Sequence, residues 1–396
     1  LGRMIDMGVV TPSDQGWIAE GPLTEALRGD ESIAELLERQ LRALSKPARG
    51  ILSAAAVIGQ QFELAMLAHV TGTPYADVLK VATDALGRRL LWRDSRPGCF
   101  RFAHDDIHAR LRSSIDKDRR QSLHLKAAAY VEQNDPDDVF ALALHYDAGG
   151  NREQALSKSL QAAREARQKF ALSVAQDQLQ ISRRCVSTDD RRRGFEIAES
   201  LGEIQLLAGR YDDAADYLRE ALELAITPLQ KARVQQKIGE LAFKRGRFAD
   251  AATEYEHALA MTGIRVPGNF FSMLVGLGAQ SFFQVIHTYL PASWIARNAP
   301  PEELDCLRLQ LLSRLSHVYW FSRHKLWTLG NHLRSLNEAE RFTPSEILAA
   351  VYSEHGPVMS LLRWFDRANR YARRSLKIRE ESGNVWGQGQ SRHYHS

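Results

Sequence analysis

The residues best suited to chemistry lie in one short stretch, Phe100-Arg101-Phe102-Ala103-His104-Asp105-Asp106-Ile107-His108. It falls where an alternating apolar run gives way to a helical pattern. Imidazole changes charge near neutral pH and binds metals readily when neutral. Asp105 is placed to cap the following helix with its carboxylate, and His104 stands just outside that helix with its ring free to face a ligand. The plainer alternative is a strand-end histidine satisfied by backbone or solvent. A third possibility is a metal pair. His104 and His108 are four apart and would share a helix face if the helix began early, with Asp105 or Asp106 adding oxygen ligands.

A metal-dependent phosphohydrolase would also need a separate upstream His and a downstream Asp, and no convincing set is present, so no metal site is expected. Cys99, Cys185 and Cys306 lie far apart, form no CxxC pair and have no histidine base at recognisable spacing. They fit a reducing cytoplasm better than a disulfide framework. Neither a G-x-S-x-G elbow nor a G-x-x-x-x-G-K-[ST] phosphate loop occurs, and no apolar run ends in paired acids for Mg²⁺. The chain is therefore expected to have no catalytic residues, to be no enzyme by itself, and to hold no cofactor of its own.

The elements around His104 follow from periodicity. Val9-Val10 and Trp17-Ile18 flank a polar turn and read as a hairpin. From Ser32 the pattern turns helical, with Ser32 and Glu35 as a capping box and Ile33, Leu36, Leu37, Leu41 and Leu44 on one stripe. Pro47 opens a second helix carrying Ile51 to Ile58, a third covers Glu63 to Val70, and a fourth runs from Tyr75 to Arg89. Leu91-Trp92 and Phe100-Arg101-Phe102 then bracket Pro97-Gly98 as a two-stranded wing. Helices followed by such a wing describe a winged helix. The helix from Tyr75 offers Lys80, Arg88 and Arg89 against Asp77 and Asp84, a near-cancellation that speaks against phosphate binding, so no nucleic acid is expected. Helices at 105–111 and 119–132 lead to an acidic linker, Asn134-Asp135-Pro136-Asp137-Asp138.

Beyond the linker the sequence repeats. Leu201-Gly202, Gly209, Tyr211, Ala214, Leu218 and Ala221-Leu222 match Ile238-Gly239, Gly246, Phe248, Ala251, Tyr255 and Ala258-Leu259, always 37 residues apart. Weaker copies share the offsets: Leu142, Tyr146, Gly150, Ala155 and Ala162, and then Gly356, Phe365, Ala368, Ala372 and Leu376. Residues 307–342 carry helical stripes without a good match. The pattern resembles the tetratricopeptide repeat, which implies that the small residues Gly202, Ala214, Gly239 and Ala251 lie where two helices touch and that Tyr211 and Phe248 plug the turn, with Gly209 and Gly246 at helix ends.

Composition sets the frame. With 396 residues, 44% apolar and 25% charged, the chain has room for two or three folded domains, and disorder is excluded for most of it. Lysine plus arginine exceed aspartate plus glutamate by only 4, too little to imply a polyanionic partner. The longest apolar stretch, 270–290, is interrupted by Ser272, Gln280, Ser281, Gln284 and His287, which favours a buried or interfacial helix over a membrane span.

Three segments together, Arg49 to Leu64, Phe100-x-Phe-x-His104-Asp105 and Arg119-Arg120-x-x-Leu123-His124, resemble the winged-helix module of STAND-class signalling ATPases, relatives of AAA ATPases. In bacteria these proteins carry tetratricopeptide-like sensor arms, and the 37-residue repeats are similar to that pattern. The resemblance implies an all-α fold, a winged helix with one small hairpin followed by a right-handed superhelix of helix pairs. It implies three regions: 1–30 as the remnant of a preceding ATPase or lid, 31–134 as the winged helix, and 135–396 as the repeats. In the apoptosomal and plant immune-receptor branches of the class, a His-Asp pair at this junction closes over the β-phosphate of ADP. That makes His104 the expected nucleotide sensor and Asp105 its structural cap. ATP or ADP would sit in an upstream domain, with the chain a fragment open at both ends. A concave repeat face would bind a protein or peptide partner, or a small effector, with effector-driven oligomerisation. The alternative is a stand-alone tetratricopeptide scaffold.

Overall fold

The structure, a computed structural model, describes residues 10–13, 16–19, 39–289 and 299–393. The helix start expected at Ser32, with Ile33 to Leu37, and most of the region 1–30 lie outside the described residues. The chain forms two compact units, Leu1–Ala162 and Ala163–Ser396.

In the first unit, β1 (Val10–Ser13) and β2 (Gly16–Ala19) pair antiparallel, Val10 opposite Ala19. The strands take in Thr11, Pro12, Ser13 and Gly16, which the sequence places in the turn. Helix α1 (Lys46–Ile58) starts at Ser45, whose side chain accepts from the Ala48 N–H, with Pro47 in the first turn. The run Leu52 to Ile58 is buried throughout. Strand β3 (Gln61–Glu63), α2 (Leu64–Thr71), α3 (Tyr75–Gly87), β4 (Leu91–Arg93) and β5 (Cys99–Phe102) complete a winged helix. Its sheet has three strands in the order β3-β5-β4, one more than the expected hairpin. The extra strand is three residues long and runs straight into α2, so it carries no readable alternation. Phe62 holds it, its ring centroid 5.6 Å from that of Phe102 on β5.

Helices α4 (Asp105–Ser113), α5 (Lys117–Asn134) and α6 (Val139–Ala148) follow, and α7 (Arg152–Gln168) contains the division between the units. The acidic segment read as a linker instead caps α6, with Asp138 accepting from the Ala141 N–H. Helices α5 and α6 are tied by His124 and His145, Nδ1 to Nδ1 3.1 Å, and by Tyr146 donating to Glu132 at 2.9 Å. Hence α6 stays with the winged helix, and the units part at Ala162 rather than at 134/135.

The second unit is helical throughout its described residues: α8 (Leu172–Cys185), α9 (Arg191–Leu207), α10 (Tyr211–Leu224), α11 (Pro228–Lys244), α12 (Phe248–Met261), α13 (Phe270–Tyr289), α14 (Glu303–Ser322), α15 (Lys325–Ala339), α16 (Glu346–Leu361), α17 (Phe365–Glu381) and α18 (Val385–His393). Antiparallel neighbours pack as α9/α10, α11/α12, α14/α15 and α16/α17. The stretch 307–342, without a repeat signature, forms such a pair all the same. The apolar core passes from pair to pair. Val234 and Leu241 of α11 join the α9/α10 core, and Leu307, Leu311, Leu315 and Tyr319 of α14 join that of α11/α12.

The 37-residue repeat has a direct structural meaning. A Cβ on Gly202 would lie 2.8 Å from Leu218, and one on Gly239 would lie 2.8 Å from the Tyr255 ring. Each glycine lets a second helix close onto the first. Gly209 and Gly246 take φ of 76° and 75° just past α9 and α11. The next amide in each case, Arg210 and Arg247, bonds back to Gln205 and Ala242, which ends the helix and aims the chain into its partner. Ala214 and Ala251 are fully buried, and Phe248 stacks on Phe321 with centroids 4.8 Å apart.

Helix α13 inverts the usual arrangement. It has no charged residue from 270 to 289, and Phe271, Val275 and Phe282 are exposed, Phe271 by 76%. Its packed side holds Met273, buried, and Leu277 against Gly330, and turns polar toward the C-terminal half. Gln284 donates to Asn337 (2.6 Å), Asn337 donates to Gln280, and His287 Nδ1 lies 2.7 Å from Glu340. By length and composition Phe270–His287 is sufficient to cross a membrane, yet hydrogen bonds fix one face of it to α15.

Two measurements test this description. Gly239→Ala should lower stability by about 1–3 kcal/mol, because the Tyr255 ring cannot give way. Gly202→Ala should cost less, since a leucine end can turn, and Gly50→Ala in α1, with open space around it, should stabilise by about 0.5–1 kcal/mol. Urea unfolding of the three variants checks the order. The second concerns acid. Burial holds His124 and His145 down to about 4, helped at His124 by the neighbouring His145. Between about pH 6.5 and 4 the unfolded chain binds protons that the folded one refuses, so stability falls as pH falls, by up to ~1.4 kcal/mol per pH unit per histidine. His145→Gln should flatten that slope by about one proton in unfolding titrations at pH 7 and pH 5.

Candidate functional site

The junction singled out by sequence is laid out differently from expectation in one respect. His104, not Asp105, is the N-cap of α4, with φ −142° and ψ 143°, and its side chain makes no capping hydrogen bond. The first turn is closed by its carbonyl, which accepts from the Ile107 and His108 amides. Asp105 is the first helical residue, and its Oδ1 accepts from Gln60 Nε2 at 3.1 Å. The carboxylate therefore ties α4 to the segment before β3 instead of capping its own helix, while still favouring the positive helix end.

His104 is exposed, whereas His108 is half-buried with its ring 5.4 Å from that of Phe102. Burial lowers the pKa of His108. Extended backbone at His104 puts it off the α4 face that carries His108, so the two imidazoles do not share a side of one helix. Among the described residues no group of three His, Cys, Asp or Glu is placed to hold a metal ion. A hollow of about 880 Å³ in the same unit is lined by Lys46, Lys80, Arg119 and Lys126 with Asp77 and Asp84 among them, and His104 is not one of its walls.

The structural residues of the repeat sit as described above. Gly202 and Gly239 are at helix crossings, Gly209 and Gly246 at helix ends, Tyr211 and Phe248 at the starts of α10 and α12, and Ala214 and Ala251 in the core. They shape a scaffold and carry no chemistry themselves.

What the scaffold presents is a polar groove of about 740 Å³ in the second unit, lined by the first helices of successive pairs, α9, α11, α14 and α16, with Gln390 of α18. Its floor is an ionic ladder. Glu199, nearly fully buried, receives Arg233 (2.7 Å) and Lys237 (3.3 Å); Lys237 also meets Glu203, and Arg233 reaches Glu303 at 3.2 Å. Burial would raise the Glu203 carboxyl, but Lys237 and Arg167 outweigh it and hold it low. Gln236 bonds to Gln310, and Ser313 donates to Glu354 at 2.7 Å. These bonds tie each pair to the next and leave Arg314 and His317 exposed on α14, Arg314 in no ion pair among the described residues.

Sequence reasoning missed these groove residues. The signal available was a second stripe on α11, with Arg233, Lys237 and Glu240 flanking the apolar Val234, Ile238 and Leu241, and its counterpart on α14 with Glu303, Gln310, Arg314 and His317.

No protein-family model and no curated protein matches the chain. Among solved structures it is similar to a signal transduction ATPase with numerous domains, a STAND protein with a tetratricopeptide repeat sensor from Pyrococcus horikoshii. The identity is 12% and the TM-score 0.39, over 93% of this chain and 56% of that one. The chain thus spans a little over half the length of that protein.

Proposed function

We propose that this chain is the sensor and coupling region of a STAND-type signalling ATPase. In this reading the helix pairs take a protein or peptide partner in the groove along their first helices, and the winged helix passes that event to a nucleotide-binding domain of a longer protein. The groove carries the reading: four successive first helices contribute polar side chains to one trough, with Arg314 and His317 uncommitted in its middle. Repeat scaffolds that stack helix pairs recognise extended partners in this manner. The order α1-β3-α2-α3-β4-β5, with an exposed His104 at its exit, supports the second half, since that ring is open to a phosphate brought by another domain. Nucleotide chemistry is then supplied from outside the chain, which has no phosphate loop.

The test uses the parent protein. His104→Ala should speed release of a fluorescent ADP by about tenfold, the loss of one charge-assisted hydrogen bond. Arg314→Glu should abolish partner-stimulated ATP turnover while leaving basal turnover and the unfolding midpoint unchanged. A parent without a phosphate loop, or ADP release indifferent to His104→Ala, would reduce the chain to an interaction scaffold.

A further inference from the structure

Beside the polar groove lies a second cavity of different character, about 470 Å³, open on one side and lined by α14, α15 and α16. Its walls are apolar: Trp320 from α14, Leu326 and Leu329 from α15, and Val358, Leu361 and Leu362 from the end of α16. Pockets of this size with few polar groups are the usual form of a small-molecule site. The polar groups here are unusual in being left over. Thr328 lines the cavity, and its Oγ1 is buried with no hydrogen-bond partner. A buried hydroxyl without a partner costs free energy that the fold has no packing reason to accept.

His332, 2% exposed, is the second polar group in the wall. Its proton can be placed by following the donors. Arg367 can only donate, and its Nε–H is 3.1 Å from His355 Nε2, so that nitrogen is an acceptor. The His355 proton is then on Nδ1, which lies 2.9 Å from His332 Nε2 and donates to it. His332 must in turn carry its proton on Nδ1, a ring nitrogen with no acceptor among the described residues. Burial keeps both rings neutral. The relay from Arg367 therefore ends as an N–H on a residue of the cavity wall.

The charges at the cavity cancel. Lys325 lies over the Trp320 ring at 5.4 Å, and Glu354 takes the Ser313 hydroxyl on both oxygens. With Lys325 and Glu354 opposite in sign, His317 at the edge shared with the groove, and two neutral donors within, an ion brought inside would lose its water without a net counter-charge to replace it. An uncharged acceptor would satisfy Thr328 and His332 without that loss.

We propose that this cavity binds an uncharged apolar molecule bearing a carbonyl acceptor, such as a ketone, ester or lactone, with the carbonyl oxygen held by His332 Nδ1–H and by Thr328 Oγ1–H once the Thr328 side chain turns toward it. His317 and Glu354 line both the cavity and the polar groove, so an occupant shifts a wall of the partner site. On the sensor reading above, this is where a small effector acts; the binding itself does not depend on that reading.

The experiment uses the 396-residue chain and three probes with the same alkyl body: 2-octanone, octanoate and octylammonium, followed by calorimetry and by the shift in thermal unfolding. The expected result is saturable binding of 2-octanone, with each ion at least tenfold weaker. Thr328→Val should weaken 2-octanone about tenfold by removing only the hydroxyl, and Val358→Phe should abolish binding by filling the space. Circular dichroism verifies that both variants fold. Equal binding of the three probes, indifference to Thr328→Val, or no binding by any probe would overturn the proposal. Binding as expected, with no change in ADP release from the parent protein, would support the cavity and overturn its role in sensing.

Discussion

Everything in the second unit depends on how closely two antiparallel helices can approach. At Gly202 and Gly239 the backbone of one helix is in van der Waals contact with a side chain of its partner, leaving no room for a methyl group. That contact fixes the spacing within a pair, which fixes where the outward apolar positions fall and hence what the next pair must supply. The cores around Phe195 and Leu218, and then around Tyr255 and Leu311, are successive solutions to the same requirement: no pair buries its own apolar surface, so each is completed by its neighbour.

Polar side chains give the same stack its order. Glu199 on α9 is buried only because Arg233 and Lys237 reach it from α11, one repeat later. Farther along, Arg379 is 2% exposed and is held by Glu346, Ser353, Ser391 and the Gly387 carbonyl. Such groups tolerate few alternative partners, so they select which helices meet, where apolar contact alone would accept many arrangements. Specificity comes from these bonds and cohesion from the alanines, leucines and tyrosines around them.

The legible part of the fold was whatever repeats or caps. Gly209 and Gly246, Tyr211 and Phe248, and the Pro47 helix start are strong local signals, and the helices they bound are where the sequence puts them. Strand β3 was invisible because three residues leave no period, and its partner is 40 residues away in the chain. The place of Asp105 is hidden for a related reason: whether a residue is the cap or the first helical residue depends on the backbone angles of one residue, here the extended His104. The pair α14/α15 lacks the small-residue signature, since bulkier side chains meet there, among them Tyr319 and Trp327. Least legible were the cavity-lining Thr328 and His332. A hydroxyl without a partner and the direction of a proton relay exist only once helices distant in sequence have been brought together.

Helix α13 shows what an inverted helix means for the way the chain reaches its fold. During collapse, burying Phe271, Phe282 and Phe283 would be favourable at once, whereas the bonds from Gln280, Gln284 and His287 to Asn337 and Glu340 form only after α15 is in place. The early arrangement and the final one therefore compete for opposite sides of the same helix. The outward side, with Phe271, Phe282 and Phe283 exposed, stays open to self-association even in the folded unit. The solubility of this protein should thus be governed by a helix that keeps much of its apolar surface on the outside.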